Sequence, residues 1–304
     1  MRKVYLPGTP NELWRLLNEE PDAVLFAGGT DLFTKMRAGE ANPFPLIGLE
    51  RIEKWRGVRE ESSALWLGAC TTFAELLRSE LVRNRLPLLA KAIATIGSPP
   101  IRNMGTLGGN ICTASPAGDS LPALYVMNAE IELLSSRESR LVPIRDFIAG
   151  PGRTQLRKGE VLTGVRVGFP REFQVQHFEK IGLRNALACS VASMAALLKM
   201  SGDGRVEEAR IAWGSVGPTV VVSSEVEAFL RGKKHSQQTA EEAAVMAERA
   251  AAPIDDVRGS AEYRRCVAGN LLRRLLQSTY RGETLSVGAY VGIKIIGDKR
   301  DMMG

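Results

Sequence analysis

Apolar positions along the chain recur with two periods, about two residues and about 3.6, and the switches between them divide it into short elements. Thr9-Pro10-Asn11-Glu12 supplies a capping residue, a proline at the first helical position and a glutamate placed to complete a capping box. A helix is predicted through about Leu17, with Leu13, Leu16 and Leu17 as its apolar face. The run Ala23 to Phe26 predicts a strand, Ala27-Gly-Gly-Thr30 ends it, and Asp31 to Arg37 predicts a helix. Pro43 to Leu49 and Leu65 to Gly68 are further strands, Thr71-Thr72 introduces a helix at Phe73 to Arg78, and a longer helix is predicted from about Leu86 to Thr95.

Between Gly97 and Pro122 lie five glycines, three serines and four prolines, which predict a long loop between patterned elements, a placement usual for functional loops. Strand character returns at Ala129 to Leu134, Ile144 to Phe147 predicts a turn, and Val161 to Phe169 alternates up to Pro170. Beyond it, Phe173 to Ile181, Ser190 to Met200 and Val206 to Val216 predict strands, the last two joined by a hairpin at Gly202-Asp-Gly204. Helices follow at Ser224 to Leu230, Gln237 to Ala250 and Ala261 to Tyr280. Strands followed by helices imply an α+β class. The division is residues 1–171, in parts of about 1–55 and 56–171, then 172–280, then a tail at 281–304 whose end from Lys294 is expected to be mobile or docked on a partner.

Composition narrows the function. The net charge of +6 suits an anionic partner, but the 40 Lys/Arg and 34 Asp/Glu are interspersed, so no nucleic-acid partner is expected. The four cysteines are far apart and only His177 and His235 offer imidazoles, so no zinc or iron–sulfur spacing exists. Pro7 interrupts the start before a signal-peptide core can form, and no apolar run reaches membrane-spanning length, so a reduced, cytoplasmic protein without membrane insertion is expected.

One echo remains, Ala27-Gly-Gly-Thr30 and Leu107-Gly-Gly-Asn110. Paired glycines after a strand allow close backbone approach to a ligand, and successive N–H groups there form an anion-binding nest. Either pair alone reads equally well as a tight turn. Thr30, Thr106 and Asn110 add polar side chains, and Asp119 adds an acceptor for a ribose hydroxyl or ring N–H. Neither pair extends to the Rossmann or P-loop signature.

Ala27-Gly-Gly-Thr-Asp-Leu32 together with the stretch Ile96 to Asp119 resembles the FAD-binding subunit or domain of the xanthine dehydrogenase and carbon monoxide dehydrogenase family, a likeness extending from about residue 1 to 280. The resemblance implies a two-subdomain FAD-binding fold of the vanillyl-alcohol oxidase type, followed by a C-terminal antiparallel sheet with three helices. By position it implies a first pyrophosphate loop of Leu25, Phe26, Ala27, Gly28, Gly29, Thr30, Asp31 and Leu32, and a second of Thr106, Leu107, Gly108, Gly109 and Asn110. Asp119 would then contact the flavin or its ribityl chain, with Ile96, Leu162 and Lys180 at the ring. The plainer alternatives are a core Ile96 and an exposed strand Lys180. Arg102 would reach a phosphate or a partner, or simply be solvated. Because His177 and His235 lie outside the glycine loops, FAD is expected to be noncovalent, and Cys112 is expected to be a buried, inert thiol.

The implied assembly is a heterotrimer of a molybdopterin large subunit that hydroxylates substrate, a small subunit with [2Fe-2S] clusters, and this flavin subunit, with NAD⁺ among the electron acceptors. No residue of this chain is expected to be catalytic in the hydroxylation, and none to bind a metal. Two other readings stay open: a self-sufficient flavin oxidase, and a scaffold that has kept the fold without the cofactor.

Overall fold

The computed structural model describes residues 3–41, 44–184, 187–234 and 236–280, so His235 and the expected tail lie outside the described residues. At the start of the chain, β1 (Val4–Tyr5), α1 (Pro10–Glu19), β2 (Val24–Phe26), α2 (Leu32–Arg37) and β3 (Leu46–Gly48) form a parallel three-stranded sheet, ordered β1-β3-β2. Leu13 and Leu16 of α1 join Ile47, Leu49, Ile52 and Trp55 in its core. Thr9 caps α1 as expected, but Glu12 reaches past it to the amide of Gly8, so the box does not close on the capping residue itself.

Next come β4 (Val58–Glu60), β5 (Ala64–Gly68), α3 (Phe73–Arg78), α4 (Glu80–Arg85) and α5 (Pro87–Ala94). The expected loop from Gly97 to Pro122 is instead mostly helical: α6 (Pro99–Met104), α7 (Leu107–Thr113) and α8 (Ser120–Val126). Its apparent loop residues are helix punctuation. Ser98 caps α6 ahead of prolines at its first turn, Thr106 caps α7, and the backbone turns left-handed at Ala114 to end it. Then follow β6 (Glu130–Leu134), β7 (Ser139–Pro143), α9 (Ile144–Phe147), β8 (Ile148–Gly150), β9 (Arg153–Thr154) and β10 (Val161–Gly168). The turn expected at Ile144 is thus a single helical turn, held because Ile144 and Phe147 both reach the core. An antiparallel sheet, β4-β5-β10-β6-β7, organises this part.

The last part is a second antiparallel sheet, β11 (Val175–Gly182), β12 (Ser190–Met200), β13 (Val206–Gly214) and β14 (Val221–Val222), with α10 (Ser224–Leu230), α11 (Gln237–Ala250) and α12 (Ala261–Tyr280). Every residue of β12 from Ser190 to Leu198 is buried, because both faces are covered. Ala192, Met194, Ala196 and Leu198 pack with the helices α10 to α12. Ala195 and Leu197, on the other face, join Phe178 and Ala212 in the main core together with α5 and α8. One hydrophobic core therefore runs across the junction between the two halves of the molecule. No helix among the described residues is long and apolar enough to cross a membrane.

Candidate functional site

The turn after β2 and the start of α7 meet across a cavity of about 510 Å³. The first turn also abuts the end of α6, an approach set by Gly28: a Cβ there would stand 1.8 Å from the carbonyl oxygen of Met104. Gly29 follows at φ +68°, a left-handed conformation that suits glycine, and its open side is closed by the Phe33 ring. The amide N–H groups of Gly28, Gly29 and Thr30 donate to no acceptor among the described residues, so three donors stand unspent at the cavity wall.

The second pair divides its work differently. Gly108 is buried, and a Cβ on it would strike the Cβ of Ala69 at 2.7 Å; it serves the packing of α7 on β5 and the turn after it. Gly109 is exposed on the cavity wall, where a Cβ would meet only the Thr106 hydroxyl, at 2.9 Å. Thr106 accepts from the Gly109 amide, and Asn110, whose Oδ1 accepts from Ser120, also lines the cavity.

Leu25, Phe26, Ala27, Thr30, Asp31 and Leu32 line the same cavity, as does Ile96. Leu107 does not; it is fully buried in the core. A smaller cavity of about 160 Å³ shares Leu25, Phe26, Ala27, Gly109 and Cys112 with the first and continues past Leu49, Leu156, Val161 and Leu162 to Glu160. Ile96 and Leu162 thus line different cavities, which adjoin through those shared residues. Glu160 is tied to Arg140 by two contacts, of 2.7 and 2.8 Å, and accepts from the amide of Arg157. The Arg140 hydrogen bond, foremost, holds its carboxyl below the usual range.

Asp119 and Lys180 stand elsewhere. Neither lines either of these two cavities; they are buried and ion-paired at 2.6 Å, with Ser190 donating to the other Asp119 oxygen. Burial pushes the Asp119 carboxyl upward, against the pull of the Lys180 ammonium and the Ser190 hydroxyl. Lys180 also donates to the carbonyl of Thr95, next to Ile96, so the pair joins the two halves of the molecule behind the cavity wall. Lys180 is accordingly not the exposed strand lysine of the plainer alternative. Arg102 turns back to the carbonyls of Ile96 and Gly97, at 2.9 and 3.0 Å, fixing that same wall. Cys112 is half-buried at both cavities, and burial pushes its thiol up to about 12. Lys35 and Phe73 line the larger cavity too and are missing from the sequence expectations; for Lys35 the available signal was its position one helical turn beyond Asp31. No cluster of His, Cys, Asp and Glu that would hold a metal exists among the described residues.

Such an arrangement could cradle an anion beside an apolar pocket. The family described as FAD binding domain in molybdopterin dehydrogenase matches residues 1–170, the stretch that builds this cradle. This chain belongs to the FAD-binding medium subunits of the molybdenum hydroxylases. The rest of the medium subunit matches the CO dehydrogenase flavoprotein C-terminal domain over residues 177–279. It is similar to the carbon monoxide dehydrogenase medium chain of Hydrogenophaga pseudoflava, 35% identical over 278 residues, covering 91% of this chain and 96% of that one. It is 30% identical over 251 residues to a xanthine dehydrogenase FAD-binding subunit of Escherichia coli, covering 82% of this chain and 86% of the other. Among solved structures it is similar to quinoline 2-oxidoreductase from Pseudomonas putida 86, with a TM-score of 0.87 and 28% identity, covering 93% of this chain and 98% of that one. As a medium subunit it is part of an oxidoreductase, and the α+β fold with its antiparallel C-terminal sheet is that of the family.

Proposed function

We propose that this medium subunit holds FAD noncovalently in the paired cavities and passes electrons from the [2Fe-2S] clusters of a partner subunit to NAD⁺ or another acceptor, while substrate is hydroxylated on a molybdopterin subunit. The observation that carries the reading is the set of unspent amides at Gly28, Gly29 and Thr30, facing an exposed Gly109 across one cavity. A pyrophosphate needs donors and close backbone approach, and a glycine with free space above it supplies the second. Bound FAD supplies the exchange between one-electron and two-electron transfer.

The chain's residues do the positioning. Because Ile96 and Leu162 stand in different cavities, the reading assigns the isoalloxazine ring to the Ile96 side and the adenosine to the apolar pocket of Leu25, Leu156 and Leu162. Arg102 and Lys180, bonded to the backbone carbonyls of residues 95 to 97, hold the Ile96 wall in place from behind. Residues 1–171 would then carry the cofactor, and residues 172–280 would brace it through the Asp119–Lys180 pair.

The test is to purify the chain, record its visible spectrum, and identify the extracted cofactor. A yellow protein releasing intact FAD on acid treatment supports the reading. A colourless chain that takes up no added FAD would refute it in favour of a scaffold. Isolation from the native source carries the assembly half of the proposal: flavin, iron and molybdenum should co-purify in fixed ratio. Flavin that never accompanies iron or molybdenum would sink it.

A further inference from the structure

Lys35 is the single cation lining either cavity among the described residues, and Asp31 and Glu160 are the two anions. Glu160 is already answered by Arg140. Among the described residues Asp31 is answered only by Lys35, at 2.8 Å, one turn along α2, with both side chains about half exposed, at 48% and 47%. Asp31 occupies the capping position of α2, where an aspartate usually accepts from the first-turn amides, yet it makes no capping hydrogen bond; its carboxylate goes to Lys35 instead.

That arrangement is self-neutralising while no anion is present, and it becomes a conflict once one enters. A pyrophosphate brings two negative charges to a wall that already carries a carboxylate. We infer that Lys35 is a direct ligand of the cofactor's pyrophosphate and that Asp31 is its internal competitor, so that the ammonium exchanges the carboxylate for the phosphate oxygens when FAD loads. The inference rests on the FAD reading above and adds to it a residue and a control on affinity. A lysine acts here as a mobile point charge, suited to two alternative partners in a way that the fixed fork of an arginine is not. The exchange is inexpensive because a half-exposed ion pair is held weakly.

The experiment uses full-length protein stripped of cofactor and titrated with FAD, and separately with ADP, which carries the pyrophosphate without the flavin. Lys35→Met is expected to weaken both ligands by about tenfold, the scale of one charge-assisted hydrogen bond, and to flatten the dependence of affinity on salt. Asp31→Asn is expected to tighten both, by no more than about fivefold, since it removes a competitor worth no more than an exposed ion pair. Equal FAD and ADP affinities and equal salt slopes in Lys35→Met and wild type would overturn the inference, as would weaker binding in Asp31→Asn. A wild-type chain that binds no flavin would overturn the FAD reading itself, which separates the two failures.

Discussion

At the scale of single residues, the two glycine pairs look alike in sequence and differ in what surrounds them. Gly109→Val would place its side chain into the cavity while touching only a hydroxyl of the protein, so FAD retention should be lost with the melting temperature of the cofactor-free chain little changed. Gly108→Val would drive into Ala69 and its carbonyl, and should lower the melting temperature whether or not FAD is present. Thermal unfolding of both variants, with and without FAD, checks the contrast. If Gly109→Val holds FAD as tightly as wild type, the cradle is misassigned. The motif was legible in the sequence because glycine pairs after apolar runs are local signals. Which glycine packs and which faces the cavity was not, since that depends on Ala69 and Met104, each distant in sequence from the glycine it meets.

Glu160 makes a residue-scale prediction about pH. Its folded-state pKa lies below the ordinary value, chiefly through Arg140, so it contributes stability that is present above the usual glutamate range, near pH ~4.3, and lost as pH falls through its depressed value. Arg140→Met leaves a buried carboxylate with only one backbone donor. The cost should be about 2 kcal/mol, less than for a fully enclosed pair because Arg140 keeps some contact with water. The variant should also lose part of its stability as pH rises past ~5, where Glu160 must ionise without a partner. Denaturant melts across pH would find the opposite slope, or none, if Glu160 is not held by Arg140.

At the scale of elements, capping decides where the cradle's helices begin. Thr72 and Glu75 form a complete capping box at α3, and Thr72 pairs with Thr106, which in turn caps α7 at the cavity. Thr72→Ala should therefore cost about 1 kcal/mol of stability and also weaken FAD binding, although Thr72 lines neither cavity. Unchanged FAD affinity would separate the two caps. The helices of the C-terminal part were legible to the residue, since their caps and apolar faces are local. The run from Gly97 to Pro122 misleads because Pro, Ser and Gly serve both as loop residues and as the boundaries of very short helices, and six or seven residues are too few for an apolar period to register. The two-residue strands β1, β9 and β14 escaped notice for the same reason of length.

At the scale of the whole molecule, one core and one buried ion pair join the cofactor half to the C-terminal half. Lys180→Met leaves the Asp119 carboxylate buried with a serine hydroxyl alone, a change expected to cost about 3–5 kcal/mol. With its folded-state pKa raised and no ammonium to offset burial, Asp119 should make that variant most stable at low pH and progressively less so as pH rises above ~4. Adding Asp119→Asn should recover part of the loss, and failure to do so would mean that the pair is not the coupling element. Removing residues 172–280 exposes Phe178's partners in the main core, so a chain ending at 171 should be insoluble or lack cooperative unfolding, despite carrying the whole cradle. Sequence periodicity revealed two halves but not their shared core, because the two-sided burial of β12 appears only once both halves are in place.

The strand order of the cofactor half has a consequence in time. β10, the last strand of that sheet to be synthesised, lies at its centre, between β5 and β6, and Leu162 on it also forms part of the apolar pocket. A nascent chain that has emerged only as far as β7 holds two separate hairpins, each with an open edge, and no sheet to join them. On the proposed assignment FAD would have no complete site until residue 168 has cleared the ribosome, and flavin insertion would follow translation of this half of the subunit rather than guide it.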